Sequence, residues 1–451
     1  MNNTFSKIGF ILAVAGSAVG LGNAWKFPTM VGTNGGSAFV MLFILLTLGV
    51  GFVIFLCELY IGKASRLDPA SAYYFLAPKY KKSWSLVGFT MIGALLIVSF
   101  YSVIIGWIIY YIYYSLSTIF NINTLSTQIA DNKELFINLV ETNLSALIIC
   151  FSIVFFIAFY TVAKGVKNGI EKLNVFMMPT LFIMLLLMLC YSFTQDGFKD
   201  AFNFLFMPDF SKINQDSFLD ALGLACFSLS IGAGSIITYS ASLPERTNFV
   251  SSTFYIIFIN LLIGLMMGLI VFSFIFEFNA DPSAQGPGLI FISLISLFAK
   301  LGLLGKILAV TFFIALFFAG ITSAVSMIEP FVFYLINKFN FSRIKAIVLI
   351  GVVVYILGLL CIFSGIEAYK NNLTFFGMNF FDILDNVSSN IIMPFGSFMA
   401  AIFVGFFISK QDLKETFIPY MGELGFKIWI FFARFVAPIA VLVIVYFKFK
   451  G

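Results

Sequence analysis

The sequence predicts an all-α integral membrane protein arranged as a five-plus-five inverted repeat, with discontinuous helices 1 and 6. Three observations predict it. Of 451 residues, 61% are apolar and 10% charged, against roughly 45–50% and about 25% in soluble domains. The apolar residues fall into about eleven runs long enough to cross the hydrocarbon of a bilayer. Two of those runs, five helices apart, carry matched clusters of Gly and Ser, where a continuous helix is disfavoured.

In chain order the runs lie near 8–32, 38–62, 87–117, 143–163, 173–194, 218–242, 250–276, 303–336, 344–366, 380–408 and 426–447. The first resembles a signal peptide, with Lys7 before an apolar stretch and an Ala-x-x-Ala pattern at Ala15–Ala18. It continues apolar to Val31, longer than a cleaved leader needs, so it reads as a span. The segment 286–300 is apolar but too short to cross, and its Gly286-Pro287-Gly288 start suggests an external loop helix. The whole chain, 1–451, reads as one membrane domain: repeat one over about 8–194, repeat two over about 218–408, and an extra helix over about 426–447.

With the N-terminus cytoplasmic, the loops obey the positive-inside rule. Lys63, Arg66, Lys79, Lys81, Lys82, Lys164, Lys167, Lys172, Arg246, Lys338, Arg343, Lys345, Lys410, Lys414 and Lys427 then face the cytoplasm. Asp131, Glu134, Asp196, Asp200, Asp209, Asp216 and Asp281 face outside. An odd number of spans puts the C-terminus outside, where Lys448 and Lys450 run against the pattern. The expected location is the inner (cytoplasmic) membrane, with the lipid bilayer as solvent.

The net charge of +5 lies in short loops and forms no basic face, so no nucleic acid is expected. The five cysteines all sit inside apolar runs, which points to packing and gives no disulfide framework or metal motif. Histidine is absent. That removes Ser-His and Cys-His nucleophile pairs and His metal sites, and disfavours an enzyme.

The interruptions are Gly16-Ser-Ala-Val-Gly-Leu-Gly-Asn23 and Ser228-Leu-Ser-Ile-Gly-Ala-Gly-Ser235. Each helix-interior Gly costs about 1 kcal/mol relative to Ala. A bland alternative for Gly16-x-x-x-Gly20 is close helix packing, but the second break at the matching place argues for an unwound site at the repeat midplane. Irregular backbone is tolerated in a membrane only where it lines a cavity or is buried in protein. Freed carbonyls suit a small cation and half-helix N-termini suit an anionic group, so an amino acid, which carries both charges, fits.

At these residues the sequence resembles the neurotransmitter:sodium symporter family, through Ala15-Gly-Ser-Ala-Val-Gly-Leu-Gly-Asn-Ala-Trp-Lys-Phe-Pro28 and Asn34-Gly-Gly-Ser-Ala-Phe39. Ser228-Leu-Ser-Ile-Gly-Ala-Gly-Ser-Ile-Ile-Thr-Tyr239, Ala319-Gly-Ile-Thr-Ser323 and Phe381-Asp-Ile-Leu-Asp385 follow in family order. Eleven spans resemble its bacterial amino-acid transporter branch. The resemblance implies sodium-coupled symport by alternating access and two sodium ions. One would be held by the Ala18 carbonyl, Asn23, Ser228, Asn260 and the substrate carboxylate. The other would use the Gly16, Val19 and Ala319 carbonyls with the Thr322 and Ser323 hydroxyls. Taken alone, these hydroxyls would bond back to their own helix.

Amine transporters of that family place an Asp where this chain has Gly20. The substrate is therefore expected to bring its own carboxylate, to Leu21, Gly22 and the Tyr101 hydroxyl, with its ammonium on carbonyls near Ala18, Phe227 and Ser228. Ile97, Phe227, Ser230, Ala233, Ser323 and Met327 would surround the side chain. Ala233 stands where relatives taking medium aliphatic substrates can carry an aromatic, which implies a bulky hydrophobic or aromatic amino acid. Lys26 and Asp385, with Tyr101 and Phe227, match the external gate, Lys replacing the usual Arg. Glu58 matches a brace for the sixth-helix break, while Glu329 and Arg434 have no role beyond packing.

Two departures stand out. The usual internal Arg–Asp gate is missing, since the tail is Met1-Asn-Asn-Thr-Phe-Ser-Lys7 and the matching helix 8 residue is Asn337. Closure there would rest on packing and other polar contacts, with Lys7 a candidate. Gly264 stands where bacterial members commonly place an acid, so chloride dependence stays open. No obligate protein partner is evident. A channel would show a symmetric pore ring, and a transporter-derived sensor would keep the binding residues without turnover.

Overall fold

In a computed structural model the chain is described over residues 4–244, 247–282 and 288–450. Arg246 and the Gly286-Pro287 start of the loop helix lie outside these residues, and so do the side chains of Lys448 and Lys450.

Nine helices among the described residues are long and apolar enough to cross a membrane: Ser37–Ser65, Lys81–Ile119, Leu144–Ala163, Val166–Ser192, Phe249–Glu277, Gly302–Phe339, Arg343–Gly365, Phe380–Phe407 and Lys410–Phe447. One further crossing is the pair Lys7–Ala18 and Gly22–Thr33, bent by 51°. The expected run 218–242 forms two short helices, Gln215–Ser228 and Ser235–Ala241. Each alone is too short to cross. Counting the two broken pairs as spans 1 and 6, the continuous helices are spans 2–5 and 7–11. The short apolar helix Leu289–Ala299 lies where the loop helix is expected.

Helix ends follow local chemistry. Ser6, Asn143, Asn248 and Ser342 cap spans 1, 4, 7 and 9 by accepting from the N–H two or three residues into the helix. Arg66 and Asn340 close spans 2 and 8 in the left-handed conformation. The last helix begins at Lys410, earlier than the expected 426, and Gly422 at φ 71° separates a polar first part from the crossing.

Span 8 runs along span 3, and the first half of span 1 packs on spans 5, 7 and 8. The second half of span 6 packs on span 2. The broken segments therefore sit at the centre, walled by continuous helices. Large apolar side chains such as Phe156 and Tyr160 on span 4, and Val348 and Ile356 on span 9, point outward, as they should where lipid replaces water. A two-residue antiparallel hairpin, Thr374–Phe375 with Met378–Asn379, lies just before span 10.

Candidate substrate and ion site

Span 1 stops at Ala18, where Val19 leaves the helical region at φ −80°, ψ 85°. Its chain then turns through Gly20 N–H on Ala18 O (3.0 Å) and Asn23 N–H on Gly20 O (3.2 Å). Span 6 unwinds over Leu229–Gly234, with Ser230, Gly232 and Gly234 at φ 53°, 86° and 75°. For Ser230 that conformation costs on the order of 1–3 kcal/mol and must be held by its surroundings. The Ser230 hydroxyl donates to Ser17 O across the two breaks at 2.8 Å, and the Gly232 N–H donates to Glu58 Oε1 at 2.6 Å. A side chain on Gly232 would run into Met393 O, so Gly serves there for both conformation and space.

Freed carbonyls of span 1 meet hydroxyls from two sides. Ser323 Oγ donates to Gly16 O (3.0 Å) and Ser17 O (3.1 Å). Ser17 Oγ reaches Ser326 Oγ at 2.8 Å. Thr322 Oγ1 bonds back to Phe318 O (2.9 Å) and Ala319 O (3.1 Å) within its own helix.

Asn23, Asn260, Ala18 and Ser228 come together. Asn23 Nδ2 donates to Asn260 O and Oδ1, both at 2.7 Å. That same Oδ1 position stands 3.3 Å from Ala18 O and 3.2 Å from Ser228 O. An amide oxygen facing two carbonyl oxygens is unfavourable unless the amide turns or a cation lies between them. Turning it would set its NH₂ against the Asn23 NH₂ unless that amide turned too. Three converging oxygens in a buried site are a donor set for a hard cation.

A cavity of about 20 Å³ lies between the breaks. Of the expected substrate residues, Ala18, Gly22, Ile97, Tyr101, Phe227, Ser230, Ala233, Ser323 and Met327 line it. Leu21 and Ser228 do not; the Leu21 N–H donates to the Tyr101 hydroxyl at 2.8 Å. Ser17, Gly20, Ser235 and Met393 also line the cavity and had no place in the expected set. Met393 carried no signal in sequence, because span 10 reaches the cavity only through the fold. Ala233 lines this cavity together with the flexible Met327 and Met393, and at about 20 Å³ it holds no large void.

Outside Tyr101 and Phe227 is a second cavity of about 220 Å³, lined by Lys26, Trp107, Phe381 and Asp385 among others. Lys26 and Asp385, expected as an ion pair, form none among the described residues. Lys26 Nζ lies 3.9 Å from the centre of the Phe227 ring, and Asp385 Oδ1 accepts from Ser389 Oγ at 2.7 Å. A lysine carries a compact charge that an aromatic face can hold, without the planar fork that would favour the carboxylate.

At the N-terminal end of span 1 it is Ser6, next to the expected Lys7, that makes a contact. Glu171 at the start of span 5 accepts the Ser6 hydroxyl at 2.5 Å and its N–H at 3.2 Å. Phe5 N–H donates to Ser242 O at 3.1 Å, and the Phe5 ring sits edge-on to Tyr239. Asn337 Nδ2 donates to Asp68 Oδ2 at 3.2 Å. Two charges without an assigned role find partners: Glu329 pairs with Arg343, and Arg434 Nε donates to Gly405 O at 2.6 Å.

Two broken helices facing each other, with converging oxygens and a small cavity between them, define a secondary transporter. The model of the sodium:neurotransmitter symporter family matches residues 2–133 and 137–450, and the chain belongs to that family. It is 34% identical over 443 residues to the sodium-dependent transporter YhdH of Bacillus subtilis, covering 97% of this chain and 96% of the relative. A sodium-dependent transporter of Haemophilus influenzae is 35% identical over 445 residues, with 97% and 96% covered. Among solved structures, MhsT in complex with L-phenylalanine superposes with a TM-score of 0.87 at 33% identity, over 98% of both chains. The protein is thus a multi-pass, sodium-coupled membrane transporter of a small molecule, with the five-plus-five inverted-repeat fold.

Proposed function

We propose that the protein imports a neutral, bulky hydrophobic or aromatic amino acid together with two sodium ions, by alternating access across the cytoplasmic membrane, its N-terminus inside and C-terminus outside. The observation that carries this reading is the surroundings of Gly20. A Cβ there would stand 2.5 Å from both the Tyr101 hydroxyl and Ser323 Oγ. An acidic side chain has no room, so a substrate amine meets no protein carboxylate and the substrate must supply the negative charge itself.

That carboxylate would take the Tyr101 O–H, whose oxygen accepts from the Leu21 N–H, along with Gly22 N–H. It would complete the first sodium site beside Ala18, Asn23, Ser228 and Asn260. The second ion would sit at Gly16, Val19, Ala319, Thr322 and Ser323, where Thr322 has to turn its hydroxyl away from its own helix. Sodium acts by binding one state more tightly than the other. Phe227 and Tyr101 would close the outside, steadied by Lys26 and Asp385. Side-chain selectivity would fall to Ile97, Phe227, Ser230, Ala233, Ser323 and Met327. L-Phenylalanine in the solved relative supports an aromatic ligand, and the cavity would admit one by movement of Met327 and Met393.

The test is uptake of labelled phenylalanine, tryptophan, leucine and alanine into proteoliposomes, with and without an inward sodium gradient. Sodium-driven accumulation of the aromatic substrates, lost in Asn23→Ala, is expected. Accumulation of leucine with no competition from aromatic amino acids would overturn the substrate assignment.

A further inference from the structure

We propose that Asn174 of span 5 supplies an additional oxygen ligand to the sodium ion held between spans 1 and 8. This rests on the second sodium site of the proposed function and adds a third helix to it. Asn174 is fully buried. Its Nδ2 donates to Ile170 O one turn back at 2.9 Å, which fixes the amide: turned over, two oxygens would face each other. The other end, Oδ1, has no hydrogen-bond partner. Buried amide oxygens are seldom left in this way, because an unpaired one costs about 1–3 kcal/mol.

The orphaned oxygen lies against Gly16, a residue of the proposed ion site. A methyl group placed on Gly16 would collide with Asn174 Oδ1 and would stand 3.1 Å from Thr322 Cβ. Gly16, Thr322 and Asn174 therefore meet at one point, and Gly16 has no side chain because the amide oxygen occupies that space. An uncharged oxygen fits sodium, a hard cation that takes neutral carbonyl ligands. With Asn174 as ligand the ion ties span 5 to spans 1 and 8. Moving span 5 away from span 1 then removes a ligand, which links opening toward the cytoplasm to ion release.

The experiment is sodium-dependent thermal stabilisation of the purified full chain, titrated with sodium against potassium at constant ionic strength and without amino acid, since ligand binding to the native state raises its melting temperature. Asn174→Leu keeps the bulk and removes the oxygen, and Asn174→Asp keeps the oxygen and adds charge. Thr322→Ala reports on the underlying site. Half-saturating sodium should rise about tenfold or more in Asn174→Leu, the size expected for one lost bond to a charge. It should fall by at least about threefold in Asn174→Asp at pH 8, because an added negative charge attracts the cation. If Thr322→Ala shifts the titration while both Asn174 variants match the wild type, the inference is overturned and the site stands. If Thr322→Ala titrates like the wild type, the site and the part of Asn174 in it both fall. Should Asn174→Leu fail to fold, an unchanged titration in Asn174→Asp is enough to overturn the inference.

Discussion

Replacing Gly20 with alanine tests the centre of the site with the smallest possible change. The new Cβ would stand 2.5 Å from two oxygens, whereas even a close C···O contact needs roughly 3.3 Å. Both oxygens, or the backbone that carries the new Cβ, must therefore shift by about 0.8 Å. If Ser323 Oγ turns away, it abandons Gly16 O and Ser17 O. If Tyr101 moves, its hydroxyl loses the Leu21 N–H, and the buried ring has little freedom to follow. Either way one buried group loses its partner, at about 1–3 kcal/mol, or roughly 5- to 150-fold in affinity. Binding of labelled amino acid to purified protein in saturating sodium measures this. Gly223→Ala serves as the control, since nothing lies within 4 Å of a Cβ at that helical position, and it should bind as the wild type does. Gly20→Ala binding within twofold of wild type would refute the crowding on which the amino-acid assignment rests. Gly20→Asp should bind neither amino acids nor amines that lack a carboxylate.

Glu171→Gln weakens the hold on Ser6, at about 1–2 kcal/mol for a charged cap. A cysteine placed at the buried Phe5 should then be labelled by a membrane-impermeant thiol reagent roughly 5- to 30-fold faster; unchanged labelling would mean that the Ser6–Glu171 contact does not govern exposure of this end. Ala233→Phe should abolish tryptophan uptake while sparing alanine, and equal loss of both would point to a fault in folding and not in pocket size. Arg343→Met leaves the buried Glu329 without its partner, which costs on the order of 3–5 kcal/mol when one member of a buried pair is removed. The measured outcome is a lower melting temperature, restored in part by adding Glu329→Gln.

What could be read from sequence was decided by backbone energetics. Clustered Gly and Ser disfavour a continuous helix, so the breaks within Gly16–Asn23 and Ser228–Ser235 were legible without any contact map. Long apolar runs were legible too, although span 6 survives only as two short helices and a polar helix from Lys410, broken at Gly422, precedes the crossing of span 11. Side chains that act through space were another matter. Lys26 could meet Asp385 or an aromatic ring, and only the fold places Phe227 beneath it. Ser6 and Glu171 are 165 residues apart, and neither belongs to a motif. Asn174 reads in sequence as one more amide in an apolar helix. Its meaning comes from a glycine on another span leaving a gap that its oxygen fills. Gly16 and Gly20 therefore do two jobs, since both lower the helix propensity of the segment that breaks after Ala18, and each admits a neighbour's oxygen: Asn174 in one case, Tyr101 and Ser323 in the other. Only the first job can be read from the glycines themselves. The second predicts that substitutions at these two positions will damage ion and substrate binding before they damage the fold.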